Sequence, residues 1–481
     1  MASPKRILMR AGKAPHEVLS PEASLAYRQV GVFATNLGNM AFATAVYRHL
    51  KVPGTEIRTD GMTLQYPGVT DADCARINEK YDALVLPLAN AFRGTAVDFL
   101  NNLADVIERL TIPVVVVGVG GQARGDTIDN VRDDVAEATT RFVKAVLERS
   151  ESIGVRGEAT YDFLRSLGFG EDRVDVVGCP SMFDYDHAGH VEKPDSLSAE
   201  SPMAINISPY VPGAPEYLRW CMERYPNLMY MPQRDAELRL LLWGEPISQS
   251  AFRDGMPVTA DDPLVRQGRM RMCVDLSTWS QYLAKRQFSF GTRIHGTIVA
   301  LHSGIPAFLL AHDSRTAELA EYHHIPHLRV RRVKQVGALK LFEQADYTEY
   351  NQLWPQHREV YARFLERNGL AHGLDPANRD AEYEAMLKAV EFPPPVAPLG
   401  ADPSQLYSRL NWLWQGSKAD LLRPGNYRPE ERAGTEFPAK RPLPGQVRQL
   451  QKRVHEHELI LQNRWWPKLL RRMRAKFLKD Q

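Results

Sequence analysis

The stretch Phe288 to Pro326, FSFGTRIHGTIVALHSGIPAFLLAHDSRTAELAEYHHIP, limits what this chain can fold into more than any other. Its apolar residues come as a short run, then at helical spacing, then as a run again. The pattern predicts a strand at Phe288 to Phe290, a tight Gly291-Thr292 turn and an apolar helix at Ile298 to His302. Gly304, which tolerates positive φ, stops that helix. A buried strand at Pro306 to Ala311 follows, then a cap at Asp313-Ser314 and a helix at Thr316 to His323. A strand–turn–helix places its turn at the carboxyl edge of a sheet, where α/β folds bind ligands. Arg293 and His295 lie two apart in that turn, between Thr292 and Gly296. A cation, an imidazole and the N–H groups of a helix start make an anion site with a proton donor. The same spacing also suits a plain βα unit whose Arg and His only cap or face solvent.

The grammar recurs along the chain. Val30 to Phe33 reads as a strand, Thr35 to Asn39 as a turn and Met40 to Leu50 as a helix. In that turn Asn36 and Asn39 offer polar groups, and Gly38 allows close approach of a ligand. Tyr81 to Leu86 is a strand leading to a polar loop, Pro87 to Arg93, in which Asn90 can line a cleft. Ala96 to Leu110 is a helix. Pro113 to Val117 is continuously apolar, as in a parallel strand covered on both faces. It ends in Gly120, Gly121 and Gln122, a turn that lets a ligand reach the backbone but lacks the third glycine of a dinucleotide fingerprint. After the helix Val131 to Ser150, the strand Ser152 to Val155 carries Arg156 at its tip and a helix to Leu167. This repeats the strand, arginine, helix order of the central stretch. Val174 to Val177 is the next strand. Residues 186–202 are polar and turn-rich and read as a linker. Alternation resumes with strands at Met203 to Ile207, Leu228 to Met231 and Met270 to Val274, and helices at Glu216 to Arg224, Asp235 to Leu242 and from Asp275 to Ala284. His312 and Arg315 follow the tip of the strand after the central helix and can also face the cleft.

Two such halves predict an α/β chain of two Rossmann-like domains facing across a cleft, glycosyltransferase-B-like, at 28–185 and 203–345, behind a lead-in at 1–27 with a short strand at Ile7 to Met9. After Pro326 the grammar changes. Tyr347 to Leu365 and Ala381 to Val390 read as helices packing on the core (346–395), and 396–444 as an irregular linker. Residues 445–481 read as a helical tail. Val447, Leu450, Val454 and Leu461 stand near heptad spacing. Leu469, Met473 and Phe477 share a face among basic residues beyond Trp465 and Trp466.

Composition narrows the function classes. A net charge of +2 over 481 residues gives no reason to expect a nucleic-acid partner. The four cysteines have no metal-ligand spacing, which points to a reducing compartment. With no leader-like or membrane-spanning apolar run, the expectation is a cytoplasmic protein. The tail allows contact with the inner membrane face or self-association. Asp184-Tyr185-Asp186-His187 reads as a solvated turn rather than a metal site, and Asp71-Ala72-Asp73 as the cap of a helix from Cys74 to Lys80.

The Asn-x-Gly turn, SIGVRGEATYDFLRSLGF, VDVVGCPSMF and FGTRIHGTIVALHSGIPAFLL together resemble the polysaccharide pyruvyl transferase family, over roughly Arg28 to His327. The resemblance implies phosphoenolpyruvate as donor, a sugar diol as acceptor, a pyruvate ketal on a surface glycan as product, and no metal or resident cofactor. It places Arg156, Arg293 and His295 in the donor pocket. Many members carry Asp where this chain has Asn39, and an amide can orient a hydroxyl without taking its proton. The residue types suit the chemistry. Two fixed guanidinium groups can hold a phosphate and a carboxylate bidentately, and an imidazole titrating near neutrality can deliver a proton. A nucleotide-sugar glycosyltransferase of the same architecture and a non-catalytic relative in glycan assembly are the alternatives.

Overall fold

The computed structural model describes residues 6–26, 32–33, 36–121, 132–183, 189–248 and 252–418. The chain divides into a unit Met1–Pro438, described here, and a unit Ala439–Gln481 that lies outside those residues, as does the expected tail. The first unit holds two parallel sheets. β1 (Arg6–Met9), β2 (Glu56–Thr59), β3 (Ala83–Pro87) and β4 (Val114–Val117) form one sheet in the order β2-β1-β3-β4. The pair β5 (Ile153–Val155) and β6 (Val174–Val176) extends it through a parallel bridge between Val119 and Val155. β7 (Met203–Asn206), β8 (Leu228–Tyr230), β9 (Phe288–Gly291), β10 (Ala307–Ala311) and β11 (His327–Arg329) form the second, in the order β11-β10-β9-β7-β8.

Each sheet places its second strand beside its first and its third on the other side. The order therefore reverses between β1 and β3, and again between β7 and β9. In parallel α/β sheets such a reversal opens a crevice at the carboxyl ends of the strands, because the neighbouring crossovers leave in opposite directions. The turn after β9, Thr292-Arg293, sits at the second of these. There the amide of Thr292 donates to the Asn206 carbonyl at 2.8 Å, and that of Arg293 to Asn206 Oδ1 at 3.1 Å. At the first, Arg10 donates to the Pro87 carbonyl at 3.0 Å, joining the tips of β1 and β3.

Most elements lie where the hydrophobic patterns predict them; the strand expected at Met270 to Val274 is not one, since Met270 and Met272 make only isolated bridges, to Tyr230 and Val396. All of Val114–Val117 is fully buried, as a strand covered on both faces must be. The short strand expected in the lead-in is β1, and it occupies the sheet's reversal point. The strand expected at Val30 to Phe33 is not observed, since Val32 and Phe33 lie in a turn and Val30 and Gly31 are outside the described residues. With β1 ahead of it, the helix Leu37–Leu50 is already the crossover from β1 to β2. β2 is a short edge strand with alternating exposure, too brief to announce itself. Thr70, not Asp71, caps the helix Asp71–Lys80, in a reciprocal box with Asp73. The segment expected to be irregular after 396 contains the helix Pro403–Lys418. Asp402 starts it by accepting from the amide of Ser404 at 3.0 Å, and buried Arg409 anchors it to the Ala397 carbonyl at 2.8 Å.

A core around Leu84, Leu103, Val116 and Phe142 lies on one face of the first sheet, and a larger one is shared by the two sheets. A continuous set of buried side chains runs from Ile7, Phe42, Val85 and Val117 to Ile205, Phe290, Val299 and Leu309. The helices Leu37–Leu50 and Ile294–His302 meet at its centre. Among the described residues, no helix is long and apolar enough to cross a membrane.

Candidate active site

Asn36 caps the helix Leu37–Leu50 by accepting from the Asn39 amide at 3.2 Å. This turns the first residues of the helix toward the start of Ile294–His302. The approach is close: a Cβ on Gly38 would lie 2.8 Å from His295 Cβ and Nδ1. On its other side the His295 Nε2 is 3.8 Å from the Cys179 thiol. His295 is thus wedged between the two halves, 9% exposed.

Arg156 reaches the same place from the tip of β5. Its amide donates to the Val119 carbonyl at 3.0 Å, and its side chain crosses the Gly118–Gly121 turn. The crossing needs a glycine, because a Cβ on Gly120 would overlap the Arg156 Nε and Cδ atoms. Arg156 is buried, and its Nε has no hydrogen-bond partner. Burial pulls its pKa down to about 10, against the pull of Cys179 and Glu318, with Arg315 adding to the fall. Glu318, on the helix Ser314–Tyr322, accepts from the Thr160 amide at 2.8 Å and so links the second half to the helix Glu158–Ser166.

Arg293 is the N-cap residue of Ile294–His302. Its Nε and Nη2 are buried without a hydrogen-bond partner. Arg315 donates to Asp313 Oδ2 at 3.1 Å, while its Nε also lacks a partner. Asp313 caps the following helix, as expected, accepting from the Thr316 amide at 2.8 Å. Burial would raise the Asp313 carboxyl, but Arg315, His312 and that amide outweigh it and hold the pKa below the usual range. His312 lies 3.5 Å from Asp313 Oδ2, and burial lowers its pKa. Arg93, from the loop after β3, completes the set. Its pKa is lowered by desolvation and then by the nearby charge of Arg315.

Guanidinium groups from both halves therefore converge on one imidazole. Burial pulls the His295 pKa down to about 3, helped by Arg156, Arg315 and Arg293 in that order. His295 is neutral at physiological pH. An ordinary imidazole titrates near neutrality; burial among cations, a property of the fold, sets this one apart. Buried N–H groups without partners around a neutral imidazole can hold a multiply charged anion.

The other sequence candidates divide. Asn39 is half-buried beside the cap, and Asn90 is half-buried after β3. Gly296 lies against the Asn206 side chain, where a Cβ would collide. Thr292 is engaged by the fold, since its hydroxyl accepts from the Ser208 amide at 2.8 Å. The Gly121 amide donates to Thr160 Oγ1 at 3.1 Å. Gln122 and the Asp184–His187 stretch lie outside the described residues. Sequence reading passed over Arg93, Cys179, Asn206, Glu237 and Glu318. For Asn206, a position at the end of the strand that opens the second half was the available signal.

Among solved structures, a UDP co-structure of MnaA from S. aureus is 12% identical with a TM-score of 0.36, covering 81% of this chain and 99% of that one. A UDP-GlcNAc 2-epimerase from Methanocaldococcus jannaschii is 11% identical with a TM-score of 0.36, covering 70% and 91%. A functionally uncharacterised protein from Klebsiella pneumoniae is 10% identical with a TM-score of 0.32, covering 68% and 93%. Among curated proteins none matches. A profile of the polysaccharide pyruvyl transferase family matches residues 36–314, more than half of the chain and the whole span from the Asn36 cap to the Asp313 cap. The chain belongs to the polysaccharide pyruvyl transferase family.

Proposed function

We propose that this transferase moves the pyruvyl group of phosphoenolpyruvate onto two hydroxyls of a surface-glycan sugar, closing a pyruvate ketal. The observation that carries this reading is the convergence of Arg156 and Arg293, from opposite halves, on neutral His295, with buried N–H groups of both arginines lacking partners. Phosphoenolpyruvate brings a phosphate and a carboxylate on one small frame, which two guanidinium groups match. Arg315 stands ready for the charge that grows on the departing phosphate.

The proton balance suits a neutral imidazole. Two acceptor hydroxyls lose protons. One proton ends on the methylene carbon, which becomes the methyl group, and the other leaves with the phosphate. Neutral His295 accepts the first and returns it. The bound anion offsets the arginines that hold its pKa low, so it becomes a better base when the donor is in place. Asn39 orients an acceptor hydroxyl from the facing turn.

Thermal stability with and without phosphoenolpyruvate tests the reading, since a ligand that binds only the folded state raises the melting temperature. Arg293→Ala is expected to remove most of that shift. His295→Ala is expected to lose roughly a hundredfold to ten-thousandfold in phosphate release with a glycoside acceptor. Stabilisation by nucleotide sugars and not by phosphoenolpyruvate would overturn the reading in favour of glycosyl transfer. The work is further proposed to take place in the cytoplasm at the inner membrane face. The basic tail, with Trp465, Trp466, Leu469, Met473 and Phe477, supports this as an interfacial segment. Sedimentation with anionic vesicles, before and after truncation following Pro444, tests it: equal sedimentation rules out membrane contact through the tail.

A further inference from the structure

At the carboxyl edge of the second sheet, at the tip of β8, lies a second group of buried polar atoms that the proposed reaction does not use. Glu237 is in the first turn of the helix Asp235–Trp243, at the carboxyl end of β8. It is fully buried, and neither carboxylate oxygen has a hydrogen-bond partner in another residue. Tyr230, the last residue of β8, is equally buried, and its hydroxyl is also without a partner. Arg293 acts electrostatically on both. A buried carboxylate, a buried phenol and two buried nitrogens of half-buried Arg293, all short of hydrogen bonds, stand at neighbouring strand tips on the edge that carries Arg293 and Asn206. Burying such groups without mutual bonds works against stability, so the arrangement calls for a functional account.

The surroundings of Glu237 fix what it can do. Arg293 is the strongest charge acting on it, followed by Arg234, both favouring the carboxylate; Asp235, next along its own helix, opposes them. Tyr230 couples to it from β8. Glu22 comes with the short helix Pro21–Ala26 packed on this one, and Arg409 with the helix Pro403–Lys418. Arg409 is bound to the carbonyls of Leu241 and Ala397, at the far end from Glu237. Burial lifts the Glu237 pKa to about 7, with Arg293 and Arg234 holding it from going higher. An anion bound at Arg293 cancels the main influence that keeps the carboxyl ionised.

We propose that Glu237 acts through Arg293 as its charge partner, ionised before an anion binds there and taking up a proton from solvent when one does. Donor binding is thereby coupled to uptake of a proton, and the donor binds more weakly as pH rises past neutrality. The argument rests on the donor reading above only for the identity of the anion.

Calorimetric titration of the full chain with phosphoenolpyruvate, in two buffers of different ionisation enthalpy, counts the protons taken up. Above pH 7.5 the ligand's phosphate is itself fully ionised, its second pKa being about 6. Between pH 7.5 and 8.5 the wild-type Kd should rise, by up to about tenfold for a full proton. Glu237→Gln, and Glu237→Met as a second uncharged replacement, should bind with nearly constant Kd and take up fewer protons. Tyr230→Phe, which keeps the carboxyl, should retain the coupling. Equal proton uptake in wild type and both Glu237 variants overturns the proposal and leaves the donor reading standing. If phosphoenolpyruvate binds to none of them, the donor reading falls and inorganic phosphate becomes the probe. Phosphate binding with uptake that depends on Glu237 supports the proposal; binding without it, or no binding, overturns it.

Discussion

An imidazole held at about 3 by burial and three arginines carries no charge at neutral pH, and this has a measurable cost in acid. The unfolded His295 takes a proton as pH falls below about 6.5, while the folded one resists until about 3. Above 6.5 the residue contributes nothing to the pH dependence; below it, stability falls by about 1.4 kcal/mol per pH unit. His295→Gln removes this dependence. Denaturant titrations at pH 7 and pH 5 should therefore show the variant gaining about 2 kcal/mol relative to wild type at the lower pH. Glu237 behaves in the opposite sense. Its folded pKa of about 7 lies above the ordinary 4.5, so the penalty appears as pH rises between the two and is complete above 7. Glu237→Gln should stabilise the protein by roughly 3 kcal/mol more at pH 8 than at pH 4.5. A flat difference for either variant across its window would show that the group titrates normally. At this scale the sequence was informative about identity and silent about environment. Arg156, Arg293 and His295 were legible from strand-tip position and resemblance. The protonation of His295 was not, because burial among cations from both halves is a property of the fold. Glu237 was not legible at all, since an acidic residue in a first helical turn is the commonest dipole-favoured placement.

The turns that build the site work by leaving space. β4 ends in a turn whose Gly120 makes room for the Arg156 side chain, and the helix Leu37–Leu50 begins with Gly38 against His295. These glycines make room for two side chains. Gly120→Ala would force the Arg156 guanidinium aside, since the new methyl group would overlap it. A displacement near 1 Å at a reacting centre costs on the order of a hundredfold in rate. Gly120→Ala is thus expected to lose about that factor in kcat/KM while keeping a cooperative melt, and Gly304→Ala, with open space at its Cβ, to affect stability rather than rate. Comparable kinetics in wild type and Gly120→Ala would show that Arg156 need not lie across the turn. The sequence expectation was that these glycines admit a ligand's backbone or phosphate. The structure instead fills the space at Gly38 and Gly120 with His295 and Arg156, a distinction that periodicity cannot make. Element type was legible wherever apolar runs were long, as at Val114–Val117 and Ala307–Ala311. It failed at β2 and at Pro403–Lys418, where edge position or a weak apolar pattern left little periodic signal.

At the scale of the whole unit, the shared core and one long helix bind the two sheets together. The helix Thr348–Arg367 starts beside the second sheet, where Tyr347 donates to the Ala307 carbonyl at 2.7 Å and accepts from its amide at 2.6 Å. It ends against the first, where Asn368 donates to the Ser152 hydroxyl at 3.1 Å. Between these points the Trp354 indole donates to the Met182 carbonyl at 2.7 Å, and Tyr361 stacks on Phe183 with ring centroids 5.5 Å apart. The sequence showed this segment as a helix packing on the core but not which sheet it served, because Ala307 is 40 residues away and its partners beside the first sheet are more than a hundred. Since one continuous set of core side chains joins the two sheets, beside a second set that belongs to the first sheet alone, neither sheet keeps the shared face dry without the other. Urea unfolding should therefore be a single transition, with far-ultraviolet circular dichroism and tryptophan fluorescence superimposing. Trp354→Ala leaves a cavity between the helix and the Phe183 region and should destabilise the whole unit by about 3–5 kcal/mol, moving both signals together. A variant in which the fluorescence midpoint falls while the dichroism midpoint stays would mean that the two sheets unfold separately and that the helix stabilises only one of them.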